Sequence, residues 1–174
     1  MSHTIRSCQP ADRDAIIAFA QTLPEHDLLF LARDLRHPGV IDAWMGATDQ
    51  GWIDSLVAED NGPDGDRTLV GTAALVRDPL GWSAHVGDVR LLVAPDRRGA
   101  GLGRDLLEAV FAMAHARGLA KLTARMTADQ SGSVALFEGL GFTREALLKG
   151  QVRSQDGTAH DVAILCLEIA SPTA

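Results

Sequence analysis

The chain has 174 residues, 46% of them hydrophobic and 22% charged, with a formal net charge of −7. That suits one well-buried globular domain spanning residues 1–174, and an acidic balance argues against nucleic acid as a partner. No apolar run approaches the ~20 residues that span a membrane, and the opening MSHTIRSCQPADRD lacks the apolar centre of a signal peptide, so cytoplasmic residence is expected.

The first strand is expected at residues 4–7. Gln9-Pro10 leads into a helix over 11–23, where Ile16, Ile17, Phe19, Ala20 and Leu23 share one face. Pro24 ends it. HDLLFLARDLR, residues 26–36, reads as a second helix stopped by His37-Pro38-Gly39, and 40–47 as a short turn or helix. SLVAE (55–59) and TLVGTAALV (68–76) read as strands separated by the turn cluster 60–66. A further strand begins near Val86. Leu102, Leu106, Leu107, Val110, Phe111 and Ala114 then form an apolar stripe at helical spacing, closed by Gly118 after Arg117. LAKLTARM (119–126) alternates as a half-exposed strand does. Residues 131–139 read as a helix, and 146–154 with 158–169 as a hairpin turning on Asp156-Gly157. Cys8 and Cys166 are far apart, and Cys166 sits in an apolar strand, so both read as free thiols. No zinc-type spacing occurs, and no metal is expected.

One stretch organises the rest: the strand ending in LLVAP, the loop DRRGAGLGR, and the helix from Leu102. Gly99, Gly101 and Gly103 alternate with Ala100 and Leu102, leaving the backbone nearly bare where a helix begins. The first N–H groups of a helix have no partner inside it; with the positive end of the macrodipole they make an anion site suited to phosphate. Arg98 and Arg104 bracket the loop and add charge-assisted contacts. The spacing fits neither G-x-G-x-x-G nor G-x-x-x-x-G-K-[ST]. It does fit Arg98-x-x-Gly101-x-Gly103 after Leu91, Val93 and Pro95. This resembles the coenzyme A loop of the GNAT N-acetyltransferase superfamily, [QR]-x-x-G-x-[GA]. LFEGLGF, residues 136–142, resembles a second segment of that family.

The resemblance implies a mixed α/β fold: a mostly antiparallel sheet flanked by helices, with one parallel strand pair around the glycine-loop helix. It implies transfer of an acetyl group from acetyl-CoA to an amine of a small molecule or peptide, and homodimerisation through the C-terminal hairpin is common in such proteins. Leu91, Leu92 and Val93 would offer backbone hydrogen bonds to the pantetheine arm. Arg98, Gly99, Ala100, Gly101, Leu102, Gly103 and Arg104 would hold the pyrophosphate. The family's asparagine before the next helix is Gln130 here, and its thiolate-protonating tyrosine is Phe137. The chain has no tyrosine at all, so the thiolate would leave unaided, be stabilised by a helix N-terminus, or be protonated by water or Ser133. The missing acid also motivates a different reading, an acyl-CoA-binding regulatory module with weak catalysis or none. A glutamate that acts as base in some members aligns with Arg125, which would favour an acceptor bearing a carboxylate. Asp88 is the first candidate base, acting through water, with His85 and His160 next. His26, Trp44 and Trp52 fall where the acceptor pocket would lie, and core or rim packing is the commoner role for each tryptophan.

Overall fold

In the computed structural model, residues 3–62 and 66–169 are described. Part of the turn cluster expected at 60–66, Pro63 to Gly65, lies outside them. The elements are β1 (His3–Ser7), α1 (Arg13–Thr22), α2 (Pro38–Asp49), β2 (Ile53–Asn61), β3 (Arg67–Val76) and β4 (Val86–Val93), then α3 (Leu102–Ala116), β5 (Lys121–Thr127), α4 (Ser131–Glu138), β6 (Thr143–Arg153) and β7 (Ala159–Glu168). The strands form one seven-stranded sheet in the order β1-β2-β3-β4-β5-β7-β6. Every pair is antiparallel except β4 with β5, which run parallel around α3. This is the mixed α/β architecture expected, with its single parallel pair where the glycine loop sits.

Alternation of side chains along each strand sorts the two faces. A Cβ on Gly71 would meet Leu102 and Leu106 of α3, and one on Gly103 would meet Leu91, Val93 and Leu136. α3 and α4 therefore cover the face carrying Gly71, Leu91 and Val93. On the opposite face Trp44 of α2 donates from Nε1 to Ser55 Oγ at 2.8 Å, and Thr48 Oγ1 lies 3.2 Å from that same oxygen. α1 packs on α2 and β3. At the sheet's N-terminal edge Arg6 binds two buried carboxylates, Asp12 (2.7 and 2.8 Å) and Glu59 (2.6 and 3.2 Å). The bond from Arg6 holds the Asp12 carboxyl below its ordinary range.

Two helices end in the same device. Gly118 (φ 66°) follows α3; its N–H reaches the carbonyl of His115, and that of Leu119 reaches Ala114. Gly141 (φ 97°) follows α4, where Gly141 N–H binds Glu138 and Phe142 N–H binds Phe137. Both are Schellman closures needing a left-handed residue, and both turn the next apolar side chain inward. Phe142 lands against Phe137, ring centroids 5.0 Å apart at 74°, an edge-to-face contact. That is the physical content of the 136–142 motif.

The helix expected over 26–36 does not form. A single 3₁₀ turn, Glu25–Leu28, is followed by irregular chain to residue 37. Apolar residues at 28–32 run consecutively, so they define no single helical face. Asp34 also takes a hydrogen bond from the Arg36 N–H at 3.0 Å, a local turn that competes with helix. His37-Pro38-Gly39 starts α2 instead of stopping a helix: His37 Nδ1 accepts from Gly39 N–H at 3.1 Å and Pro38 occupies the first helical position, where its missing N–H costs nothing. Cys8 and Cys166 are both buried free thiols.

Of the described glycines, Gly87 of β4 has the closest neighbours. An added Cβ would sit 2.5 Å from Leu75 Cδ1, 2.8 Å from Leu119 Cδ1 and 3.2 Å from Leu122 Cδ2. Gly87→Ala is expected to lower unfolding free energy by about 1–3 kcal/mol, read as an earlier midpoint in urea denaturation. An unchanged midpoint would mean the three leucines re-pack freely.

Candidate active site

β4 and β5 pair only from Val86↔Lys121 to Val89↔Ala124 and then diverge. Each nevertheless stays stitched to its outer neighbour: β4 to β3 as far as Gly71↔Val93, and β5 to β7 as far as Thr127↔Val162. The sheet therefore forks at its centre. Ala94 N–H donates to Val70 O at 2.9 Å, which fixes the antiparallel alternation. Residues 90 and 92 spend their backbone groups on β3, and 91 and 93 direct theirs into the fork. By the same counting from Ala128 N–H to Asp161 O, 2.9 Å, Arg125 and Thr127 line the opposite lip. Leu91 and Val93 thus present strand-like donors and acceptors that β5 does not pair. Leu92 contributes side-chain surface, its backbone being engaged with Thr72, so of the three residues expected to offer backbone hydrogen bonds two direct theirs into the fork.

The fork opens into a cleft of about 750 Å³ that runs to the start of α3. Gly99, Gly101, Gly103, Arg98 and Arg104 line its far end. Gly99 (φ 74°) and Gly101 (φ 91°) are left-handed, conformations open to glycine at little cost. Nothing lies within 4 Å of where their Cβ atoms would be. Gly101 is the N-cap of α3 and offers no side-chain cap, so the first N–H groups of a 15-residue helix face this bare backbone. Of the expected loop residues, Ala100 stands exposed at the crest and Leu102 is buried beneath; neither lines the cleft.

Gln130, Ser133 and Phe137 line the cleft from its β5–α4 side. Arg125 lines it as well. Asp88 sits one rung before the fork, opposite Thr123, on the α2 face. Its carboxylate accepts from Arg90 Nε at 3.2 Å and Thr123 Oγ1 at 3.3 Å, and it lies outside the cleft lining. His85 is exposed before the opposite end of β4, where its carbonyl accepts from Ala120 and Lys121. Trp44 borders a separate 280 Å³ apolar pocket with Arg33, Arg90 and Leu92. Trp52 is 39% exposed.

The irregular segment after α1 borders the cleft through His26, Asp27 and Phe30, of which sequence reasoning named His26 alone. Asp27 accepts from Arg98 Nη2 at 2.6 Å, and Gln130 Nε2 lies 3.5 Å from its other oxygen. Arg98 also donates to Val93 O at 3.2 Å. His26 Nε2 stands 3.1 Å from Asp129 Oδ1 and 3.3 Å from Thr127 Oγ1. Desolvation pushes the Asp129 carboxyl upward, yet the Thr127 hydroxyl and the neighbouring His26 outweigh it and leave it below the usual carboxylate range. Asp27, Phe30 and Asp129 belong to no motif; only the fold, which carries 25–30 back across β5, brings them to the site.

The Acetyltransferase (GNAT) family model matches residues 14–142. Among curated proteins, the ribosomal protein bS18-alanine N-acetyltransferase of Escherichia coli K12 is 34% identical over 80 residues, 46% of this chain and 53% of that protein. The chain thus spans about half the length of that relative. Among solved structures, the ribosomal-protein-alanine N-acetyltransferase of Brucella melitensis aligns with a TM-score of 0.78 at 25% identity, covering 95% of this chain and 99% of that one. The phosphinothricin acetyltransferase of Sinorhizobium meliloti, solved with acetyl-CoA, aligns at 0.79 with 22% identity, covering 99% and 94%.

Asp27 places a carboxylate on Arg98, one of the two arginines beside the α3 terminus. Asp27→Asn is expected to tighten binding of free coenzyme A about five-fold, since removing a competing ion pair releases up to about 1 kcal/mol. Isothermal titration at low salt measures this; weaker binding would instead make Asp27 the group that holds Arg98 in place.

Proposed function

The chain belongs to the GNAT acetyltransferase family, and from that premise we propose that it transfers an acetyl group from acetyl-CoA to the amine of a small molecule or peptide. The observation that carries this reading is the fork: Leu91 and Val93 backbone groups that β5 does not pair, leading to a glycine-wrapped helix N-terminus. The amides of a pantetheine arm would complete the strand that β5 abandons. The pyrophosphate would rest on the amides of 101–103, with the Arg98 and Arg104 side chains beside it. An N–H of β4 at the fork would steady the oxyanion of the tetrahedral intermediate.

The acceptor amine would approach from the α2 face, where Asp88 and Arg90 flank the fork. Asp88 would take the amine's proton through a water molecule, and attack on the thioester carbonyl would follow. Arg125, with no side-chain partner among the described residues, would favour an acceptor carrying a carboxylate. The leaving thiolate cannot be protonated by Phe137. A thiol of reference pKa ~8.5 is only ~2 kcal/mol from balance at neutral pH, so water or the exposed Ser133 hydroxyl suffices, at reduced rate.

Phe137 also favours a second reading, a module that binds acetyl-CoA without turnover. Calorimetry of acetyl-CoA, followed by thiol release with a panel of amines and peptide N-termini, separates the two. The enzyme releases thiol with at least one acceptor, and the module with none. Gly101→Glu is expected to weaken acetyl-CoA binding at least 100-fold, because its carboxylate would occupy the phosphate position. Gly101→Ala, which carries the backbone strain alone, should lose far less. Equal losses in both would make the loop's role conformational rather than electrostatic.

A further inference from the structure

His26, Asp129 and His160 come from three separate segments: the 3₁₀ turn after α1, the β5–α4 connection and the start of β7. Their ligand atoms all lie within 4.8 Å of one another. Asp129 offers Oδ1 to His26 Nε2 at 3.1 Å and Oδ2 to His160 Nδ1 at 4.0 Å. The two rings meet edge to face with centroids 5.1 Å apart.

The proton on His160 can be placed from its surroundings. Ser154 Oγ lies 2.5 Å from Asp156 Oδ1, so its only hydrogen goes to that carboxylate. Ser154 Oγ must then accept from His160 Nε2, 3.2 Å away. A neutral imidazole bonded this way has a bare lone pair on Nδ1, and that lone pair faces the Asp129 carboxylate. His26 Nε2, 3.1 Å from Asp129 Oδ1, donates its proton to that carboxylate in the metal-free protein, and an ion binding here would displace that proton.

We propose that these three side chains form a binding site for a borderline divalent transition-metal ion of the zinc class. Two imidazoles and one carboxylate are the donor set such ions prefer. Tetrahedral zinc with ligands at ~2.0–2.1 Å sets them about 3.4 Å apart, so the observed cluster closes on an ion through movements of about 1 Å. The Asp156–Ser154–His160 chain is the outer hydrogen bonding that orients a ligating histidine. The ion would tie the segment over the cleft to β5 and β7, and would leave a coordination position for water. This site is independent of the acyl-transfer reading.

The test is calorimetric titration of Zn²⁺ alone into the metal-free full-length protein. One saturable equivalent is expected, with a melting temperature raised by the ion. His26→Ala and His160→Ala should each weaken binding at least ten-fold. Ser154→Ala should weaken it several-fold, and exposed His115→Ala should leave it unchanged. Circular dichroism of each variant shows whether the fold persists. Absence of saturable binding, or binding that survives in the His26→Ala/His160→Ala double variant, would overturn the proposal and leave the cluster a hydrogen-bonded ion pair.

Discussion

Everything at the candidate site depends on a break in the hydrogen-bond ladder after Val89↔Ala124. Backbone polar groups rarely go unpaired in a fold, and an interrupted central ladder is costly unless something else satisfies it. Here each strand keeps its outer partner to the end of the fork, so the divergence cannot close by slippage. α3 and α4 wedge the same region from one face, with Leu91 and Val93 packed towards Leu136 and Gly103. The opening is therefore a built feature of the sheet. It presents donors and acceptors at strand spacing to whatever extended polar chain enters.

The glycines complete that arrangement for distinct reasons. Gly99 and Gly101 supply left-handed backbone and an unobstructed approach, whereas Gly103 lets α4 and β4 pack close to α3. At the other ends of their helices, Gly118 and Gly141 spend the same conformational freedom on closure. The charge pattern is local as well. A chain of net charge −7 keeps Arg98, Arg104 and Arg125 around one cleft, and it sets Asp27 on the overhanging segment and Asp129 on the β5–α4 connection. Anion attraction at the loop is thereby opposed by the Asp27 carboxylate on Arg98, which makes occupancy sensitive to the segment that carries it.

Where the sequence was legible, a short-range rule sufficed. The glycine loop, the α3 stripe, the 136–142 motif and the Asp-Gly hairpin each declare themselves within a dozen residues, and the strand order follows from the resemblance they carry. The segment 26–36 failed because a consecutive apolar run gives no period, and because proline at 38 reads equally as a stop or a start until the His37 cap is seen. Asp27 and Asp129 were invisible for a different reason: their partners are 71 and 103 residues away in the chain. The division of labour among Leu91, Leu92 and Val93 needs the register with β3, which no single-strand pattern supplies.

The central claim is that Leu91 and Val93 hold the acyl carrier's polar arm across the fork. Residue-resolved amide hydrogen exchange, with and without saturating acetyl-CoA, tests it most directly. The account predicts at least ten-fold slower exchange at Leu91 or Val93 on binding, with Leu92, already bonded to β3, essentially unchanged. Unaltered exchange at both 91 and 93 under saturation would contradict it and place the ligand elsewhere.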